Sequence, residues 1–226
     1  MTENLKGDKS KIQKLEAVYK EFTEAASLFM SNNGIYSPGF VWGCGNVSSE
    51  IVLIGEAPGR EEVETGRPFA GKAGSILDEF IKLTGCQRDD MLITNTVKYR
   101  LARPRANKQP TLVPVYDNKE LSNRPALGSE IKLVAPFLKK ELEIIDPSFV
   151  VTLGNIPLKA VYASFFPDEK APTVGTCHGT LIKLPSFEKT YLYPVYHPAS
   201  LIYNPSAAPD YAKDLEMLGK YTKEGV

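Results

Sequence analysis

Cysteine is scarce in this chain: three in 226 residues, Cys44, Cys86 and Cys177, odd in number and far apart. There is no C-x-x-C pair and no Cys/His cluster. Neither a disulfide framework nor a metal site is indicated, and the count fits a reducing cytosol. No apolar run approaches the roughly 18 residues of a membrane-spanning helix. The first residues, MTENLKGDKSK, are polar and lack the apolar core of a secretory signal. Formal net charge is zero, which excludes a wholesale polyelectrolyte binder but not a local basic patch. Hydrophobic residues at 42% and charged residues at 24% describe an ordinary globular protein. The length suits one sizeable core, so a single domain spanning 1–226 is expected.

Periodicity supplies the elements. Residues 10–30 carry Ile12, Leu15, Val18, Tyr19, Phe22, Ala26 and Phe29 at helical spacing, with Ser10 as the expected cap. "EIVLIGEA", "MLITNTVKY" and "FVVTLG" are short apolar runs that suit buried parallel strands. "TLIKL" and "YLYPVYH" are further strand candidates. "SILDEFIKLTG" reads as a helix stopped by Gly85, and "NIPLKAVYASFF" as one capped by Asn155. Pro136 is expected to kink or restart the helix over 129–145. A last amphipathic helix surrounds Tyr211, Leu215 and Leu218. Residues 105–122 show no period and read as a loop insertion. Strands alternating with helices imply an α/β fold, a parallel sheet covered on both faces, with its working residues at the C-terminal strand ends. Glu56, Asn95, Asn155 and His197 all fall there.

The stretch Gly66-x4-Gly71-Lys72 imitates a triphosphate-cradling loop, but the requirements fail. The strand ends near Ala57, well before Gly66. Ala73 offers no hydroxyl for Mg²⁺, and Glu61, Glu62 and Glu64 would repel phosphates. The strand ends taken together point elsewhere: a carboxylate among glycines (GEAPG), an exposed Phe in GRPF, an Asn in ITN and a His in YHPAS. A stacking face, an amide able to read a base edge and a donor for a developing anion suit an enzyme that flips a base and attacks its glycosidic bond.

The motifs "VWGCGNVSSEIVLIGEAPGREEVETGRPFAGKAG", "LITNTVKYR", "NRPALGSEI", "VVTLGN" and "PVYHPASLIYNP" occur in this order. On them the chain resembles the iron–sulfur-type (family 4) uracil-DNA glycosylases over roughly residues 40–218. The resemblance implies a three-layer α/β/α fold around a central four-stranded parallel sheet, and excision of uracil to leave an abasic site. It also implies roles. Phe69 stacks on the flipped uracil and Asn95 pairs with its edge. His197 stabilises the departing anion through O2, and Glu56 positions or activates the attacking water. Glu62 crowds C5 and excludes thymine. Ala57 occupies the uracil-site position where other superfamily members carry an Asp, so strong general-base catalysis by that route is not expected. Leu201 falls near the loop that enters the minor groove, and His178 where a basic residue could touch phosphate.

The resemblance also implies a [4Fe–4S] cluster held by four cysteines, and here the chain departs. Residues 1–43 contain no cysteine, Tyr99 stands in "KYR", and Val134 stands in "LVAPFL". All four ligands are missing, so no cluster and no other cofactor is expected. The N-terminal helix and the 105–122 insertion are expected to brace the region instead. Residues 98–108 carry Lys98, Arg100, Arg103, Arg105 and Lys108 without an acid, a stripe expected to track DNA phosphates. The partner implied is uracil-containing DNA, single- or double-stranded. The protein is expected to be a cytoplasmic, nucleoid-associated monomer with no membrane partner.

Overall fold

The computed structural model describes residues 1–104 and 120–226. Most of the expected 105–122 insertion, including Arg105 and Lys108, lies outside the described residues. In chain order the elements are β1 (Leu5–Lys6), α1 (Lys9–Asn33), β2 (Cys44–Asn46), β3 (Ile51–Gly55), α2 (Arg60–Thr65), α3 (Lys72–Thr84), β4 (Leu92–Asn95), β5 (Ala102–Pro104), β6 (Leu121–Asn123), α4 (Gly128–Ile145), β7 (Phe149–Leu153), α5 (Asn155–Phe165), α6 (Val174–Cys177), β8 (Ile182–Lys183), β9 (Tyr191–Val195), α7 (Ser200–Tyr203) and α8 (Ala208–Glu224).

Seven strands form the main sheet in the order β1-β2-β4-β3-β7-β9-β8. The four at its centre, β4-β3-β7-β9, are mutually parallel, as expected. The sheet is wider than four because β2 and β8 join its edges antiparallel, and β1 adds to β2. β8 falls within the strand candidate TLIKL, whereas β1 and β2 are two and three residues long, too short to leave a sequence period. Side chains alternate across the pleat. Val52, Ile54, Leu92, Val150 and Leu192 pack with α1, α4 and α5 on one face. Ile51, Leu53, Ile93, Val151 and Tyr193 pack with α3 and α8 on the other.

Some local expectations change. The cap of α1 is Asp8, whose Oδ1 accepts from the Ser10 and Lys11 N–H groups. A carboxylate two residues earlier therefore takes the place assigned to Ser10. Asn155 is the first residue of α5, not its cap, and its Oδ1 accepts from Val174 N at 2.8 Å. Helix α4 runs continuously through Pro136, which removes one N–H donor without ending the helix.

A third apolar cluster lies beside the sheet. Phe22 and Ala26 of α1 meet Val97, Tyr99, Leu101 and Val134, with Phe40, Trp42 and Phe137 against them. Trp42 stacks on Tyr19 and Phe40, with centroids 4.6 and 5.5 Å apart. Phe22 meets the edges of Trp42 and Phe137 at 6.1 and 5.4 Å.

Candidate active site

A cavity of about 390 Å³ opens at the C-terminal ends of the central strands. Ala57, Glu62, Phe69, Asn95, Arg100 and His197 share its wall. Ala57 and Glu62 follow β3, Asn95 ends β4 and His197 follows β9. A parallel sheet thus gathers residues some 140 positions apart in the chain.

Phe69 sits in the loop between α2 and α3 with φ +54°, a left-handed backbone that a bulky residue rarely adopts. The surroundings enforce it. Arg88 donates to the carbonyls of Pro68 and Phe69 at 2.8 and 3.3 Å and is itself held by Asp78. Gly74 leaves room for the Phe69 carbonyl; a Cβ there would stand 1.8 Å from that oxygen. The ring, expected to be exposed, is buried, because it lies across Gly55, where a Cβ would come within 2.7 Å of Cε2 and Cζ. Strain held this firmly points to a functional placement of the ring. Arg88, Gly55 and Gly74 carry no motif role in the sequence, because their part is to shape the backbone of others.

Asn95 is 3% exposed, and its side-chain Oδ1 also lies over Gly55, 2.3 Å from where a Cβ would be. Its amide makes no hydrogen bond among the described residues, although it is nearly buried, so its donors and acceptor are left for a ligand. Its backbone is pinned by Lys98, whose Nζ donates to Asn95 O at 2.7 Å, Thr94 Oγ1 at 2.6 Å and Glu141 Oε2 at 2.6 Å. Glu141 accepts from Tyr19 as well, at 2.8 Å. Burial pulls the Lys98 pKa down while Glu141 opposes the shift.

Lys98 therefore does not belong to a phosphate-tracking stripe: it is 4% exposed and its three donors are used inside the protein. The basic run misled because the chain beyond β4 stays buried, from Val97 through Leu101. Lys98→Met should destabilise the fold by about 3–5 kcal/mol in urea denaturation, since it strands a buried Glu141. It should leave the salt dependence of DNA binding unchanged; a slope lower by about one would restore Lys98 as a phosphate contact.

Arg100 is likewise buried, 3% exposed. It reaches the cavity wall by bonding to the β5–β6 hairpin rather than by facing solvent. Of the stripe, only Arg103 on β5 is both described and exposed.

His197 starts the HPAS turn. The Ala199 N–H donates to its Nδ1 at 3.1 Å, and the Ser200 hydroxyl and N–H both close onto its carbonyl, at 2.6 and 2.8 Å. A ring nitrogen that accepts carries no proton, so the neutral ring bears its hydrogen on Nε2. Burial pushes the His197 pKa down to about 4, so the ring is neutral at physiological pH. The site therefore offers a neutral N–H donor, 6.0 Å from the Phe69 ring centroid to centroid.

Other expected residues are placed differently. Glu56 follows β3 but does not share the cavity wall. Burial raises its pKa, and the Ala126 N–H it accepts partly offsets that. Leu201 is buried in the core beneath α7, and the exposed apolar side chains there are Ile202 and Tyr203, 48% and 88% exposed. A helical turn places only one of three consecutive residues inward, which a motif match cannot tell apart. His178 is bound to Asp214 through Nδ1 at 2.8 Å and lies 4.7 Å from the Tyr196 ring, so one of its nitrogens is already engaged.

A profile described as the uracil DNA glycosylase superfamily matches residues 42–222. The chain belongs to that superfamily. Among its relatives is a type-4 uracil-DNA glycosylase of Archaeoglobus fulgidus, 31% identical over 80% of this chain and 81% of the relative. One from Thermotoga maritima is 36% identical over 74% and 73%. One from Sulfurisphaera tokodaii is 34% identical over 73% and 66%.

The iron–sulfur cluster that this resemblance implies can be tested against the residues of this superfamily member. Tyr99 and Val134, at two ligand positions, are 0% and 1% exposed inside the aromatic cluster with α1. The Tyr99 hydroxyl donates to Glu130 at 2.9 Å, and Arg124 holds both Glu130 oxygens at 2.7 Å. Burial alone would raise the Glu130 pKa, but Arg124, the Leu127 N–H and Tyr99 hold it below the usual carboxylate range. Cys44 lies on β2, Cys86 follows α3 and Cys177 ends α6, and no group of three potential ligands gathers among the described residues. The residues present do not fit such a cluster.

Proposed function

We propose that this protein is a uracil-DNA glycosylase that draws uracil out of the DNA stack into the cavity, hydrolyses its N-glycosidic bond and works without an iron–sulfur cluster. The observation that carries the reading is the neutral His197, its proton on Nε2, sharing one cavity wall with the Phe69 ring and the free amide of Asn95. The names of the relatives, type-4 uracil-DNA glycosylases, support the same activity.

The chemistry follows from charge. As the bond between the sugar C1′ and the base N1 breaks, its electron pair leaves with uracil. The sugar becomes positive, and water adds to C1′ with loss of a proton. A neutral donor fixed at the base oxygen stabilises the leaving anion, and in a water-poor cavity it acts at low dielectric. Asn95 can donate to one atom of the uracil edge and accept from its N–H. Phe69 supplies a stacking face, and Ala57 leaves the floor without a charged base. Glu62, on the same wall, is placed to crowd the C5 side of the base. We assign Glu56 only the holding of water, because burial raises its pKa and it does not share the cavity wall. Tyr203, Ile202, Arg103 and His178 are the described side chains we place toward DNA. We further place the protein as a monomer on DNA in the cytoplasm, at the nucleoid. No helix among the described residues is long and apolar enough to cross a membrane.

The test is an alkali-cleavage assay on end-labelled single-stranded and duplex oligonucleotides carrying U, hypoxanthine, xanthine or T opposite G. Cleavage with uracil is expected from protein purified without added iron, with no iron or sulfide detected by elemental analysis. Tight binding without cleavage would overturn the activity. A brown protein containing iron and sulfide would overturn its independence from a cluster.

A further inference from the structure

The β5–β6 hairpin brings to the cavity a side chain to which the sequence assigns no role. Arg100 donates from Nε and Nη2 to one atom, Asn123 Oδ1, at 3.1 and 3.0 Å, and from Nη2 to the Leu121 carbonyl at 3.2 Å. A guanidinium has donors only, so the atom it holds must be the amide oxygen. This settles which way the Asn123 amide is turned. Its Nδ2, with two hydrogens, has no hydrogen-bond partner among the described residues. Asn123 is exposed and borders the same cavity as Phe69, Asn95 and His197. The arrangement is a pre-set donor pair: a buried cation fixes and polarises the amide oxygen, which strengthens the N–H groups on the other side.

We propose that Asn123 is a substrate-binding residue that donates both amide hydrogens to an acceptor oxygen of the extruded nucleotide. This rests on the uracil-excision reading above. The oxygen belongs either to the phosphodiester, which stays at the cavity mouth when a base enters, or to a base carbonyl. The exposure of Asn123 favours the phosphodiester.

Asn123→Asp separates this role from a structural one. Aspartate keeps the oxygen that Arg100 needs and removes only the donors. Ser122→Asp is the control for added charge: it is the adjacent strand position, on the opposite side of the ribbon, and its hydroxyl only meets Arg103 O at 3.4 Å. Steady-state kinetics on a uracil oligonucleotide, inhibition by free uracil and thermal melting would be measured for both variants and for Asn123→Ala.

Asn123→Asp should melt like the wild type, raise KM about tenfold and leave kcat little changed, as for a lost charge-assisted hydrogen bond. Asn123→Ala should raise KM in the same direction without adding charge. Unchanged inhibition by free uracil assigns the oxygen to the phosphodiester, and weakened inhibition assigns it to the base. An Asn123→Asp enzyme with wild-type KM, or an equal rise in Ser122→Asp, overturns the proposal. Wild-type protein that releases no uracil overturns the parent reading instead.

Discussion

Replacing His197 with alanine is expected to lower kcat by about 10²–10³-fold, roughly 2.7–4 kcal/mol of transition-state stabilisation, with KM little changed. The donor matters most once charge has moved onto the base, so its loss should appear in the chemical step. His197→Gln, which keeps an N–H donor without the ring, should recover part of the rate. The acid limb of the profile carries the same information. With its pKa pushed down to about 4, His197 stays neutral until the pH approaches that value. Protonation at Nδ1 removes the acceptor that the Ala199 N–H uses to hold the ring, so activity should fall as pH drops through about 4, and that limb should be absent from His197→Ala. Stability follows the same sign. The unfolded ring, with an ordinary pKa near 6.5, takes up a proton before the folded one does. The contribution of His197 is thus full above about pH 6.5 and is lost as pH falls toward 4. A rate loss below threefold in His197→Ala would remove His197 from the mechanism.

Gly55→Ala should be nearly as damaging, although it changes a residue that touches no substrate. Its Cβ would stand 2.3 Å from Asn95 Oδ1 and 2.7 Å from the Phe69 ring, so one methyl displaces both the reading amide and the stacking face. Gly55 is the last residue of β3, between β4 and β7, so the strand has little freedom to retreat. Overpacking of this kind costs about 1–3 kcal/mol of stability. The larger effect is expected on function: uracil release at least about a hundredfold slower, since misplacing a site by about 1 Å costs that much. Thermal melting and single-turnover excision measured on one preparation separate the two effects. Wild-type excision by Gly55→Ala would show that the base does not bind at this strand end.

Much of this was legible in the sequence, and the reasons differ by residue. The four central strands announced themselves because buried parallel strands are continuous apolar runs, and the helices because one face repeats at helical spacing. Phe69, Asn95 and His197 could be found because each lies in a short motif, Asn95 and His197 at strand ends and Phe69 in the loop before α3. Lys98 and Arg100 could not be read correctly: charge in a one-dimensional string says nothing of direction, and both side chains turn inward to hold β4 and the hairpin. Leu201 carried the right neighbourhood but the wrong face. Asn123 opens the motif NRPALGSEI but had no role assigned, since its orientation follows from a bond to an arginine that is itself buried. Gly55 and Gly74 were visible as letters, yet the need for glycine there comes from Phe69 and Asn95, which only folding brings near.

The aromatic corner also makes the protein its own spectroscopic instrument. Its lone tryptophan, Trp42, lies between Tyr19 of α1 and Phe40, next to the cluster that holds Tyr99 and Val134. Indole emission therefore reports on one seam of the molecule, the docking of the N-terminal helix onto the sheet. Far-ultraviolet circular dichroism reports on all of it. If the two signals part company during denaturation, the helix lets go before the sheet does. That order can be read without attaching a label or altering a residue.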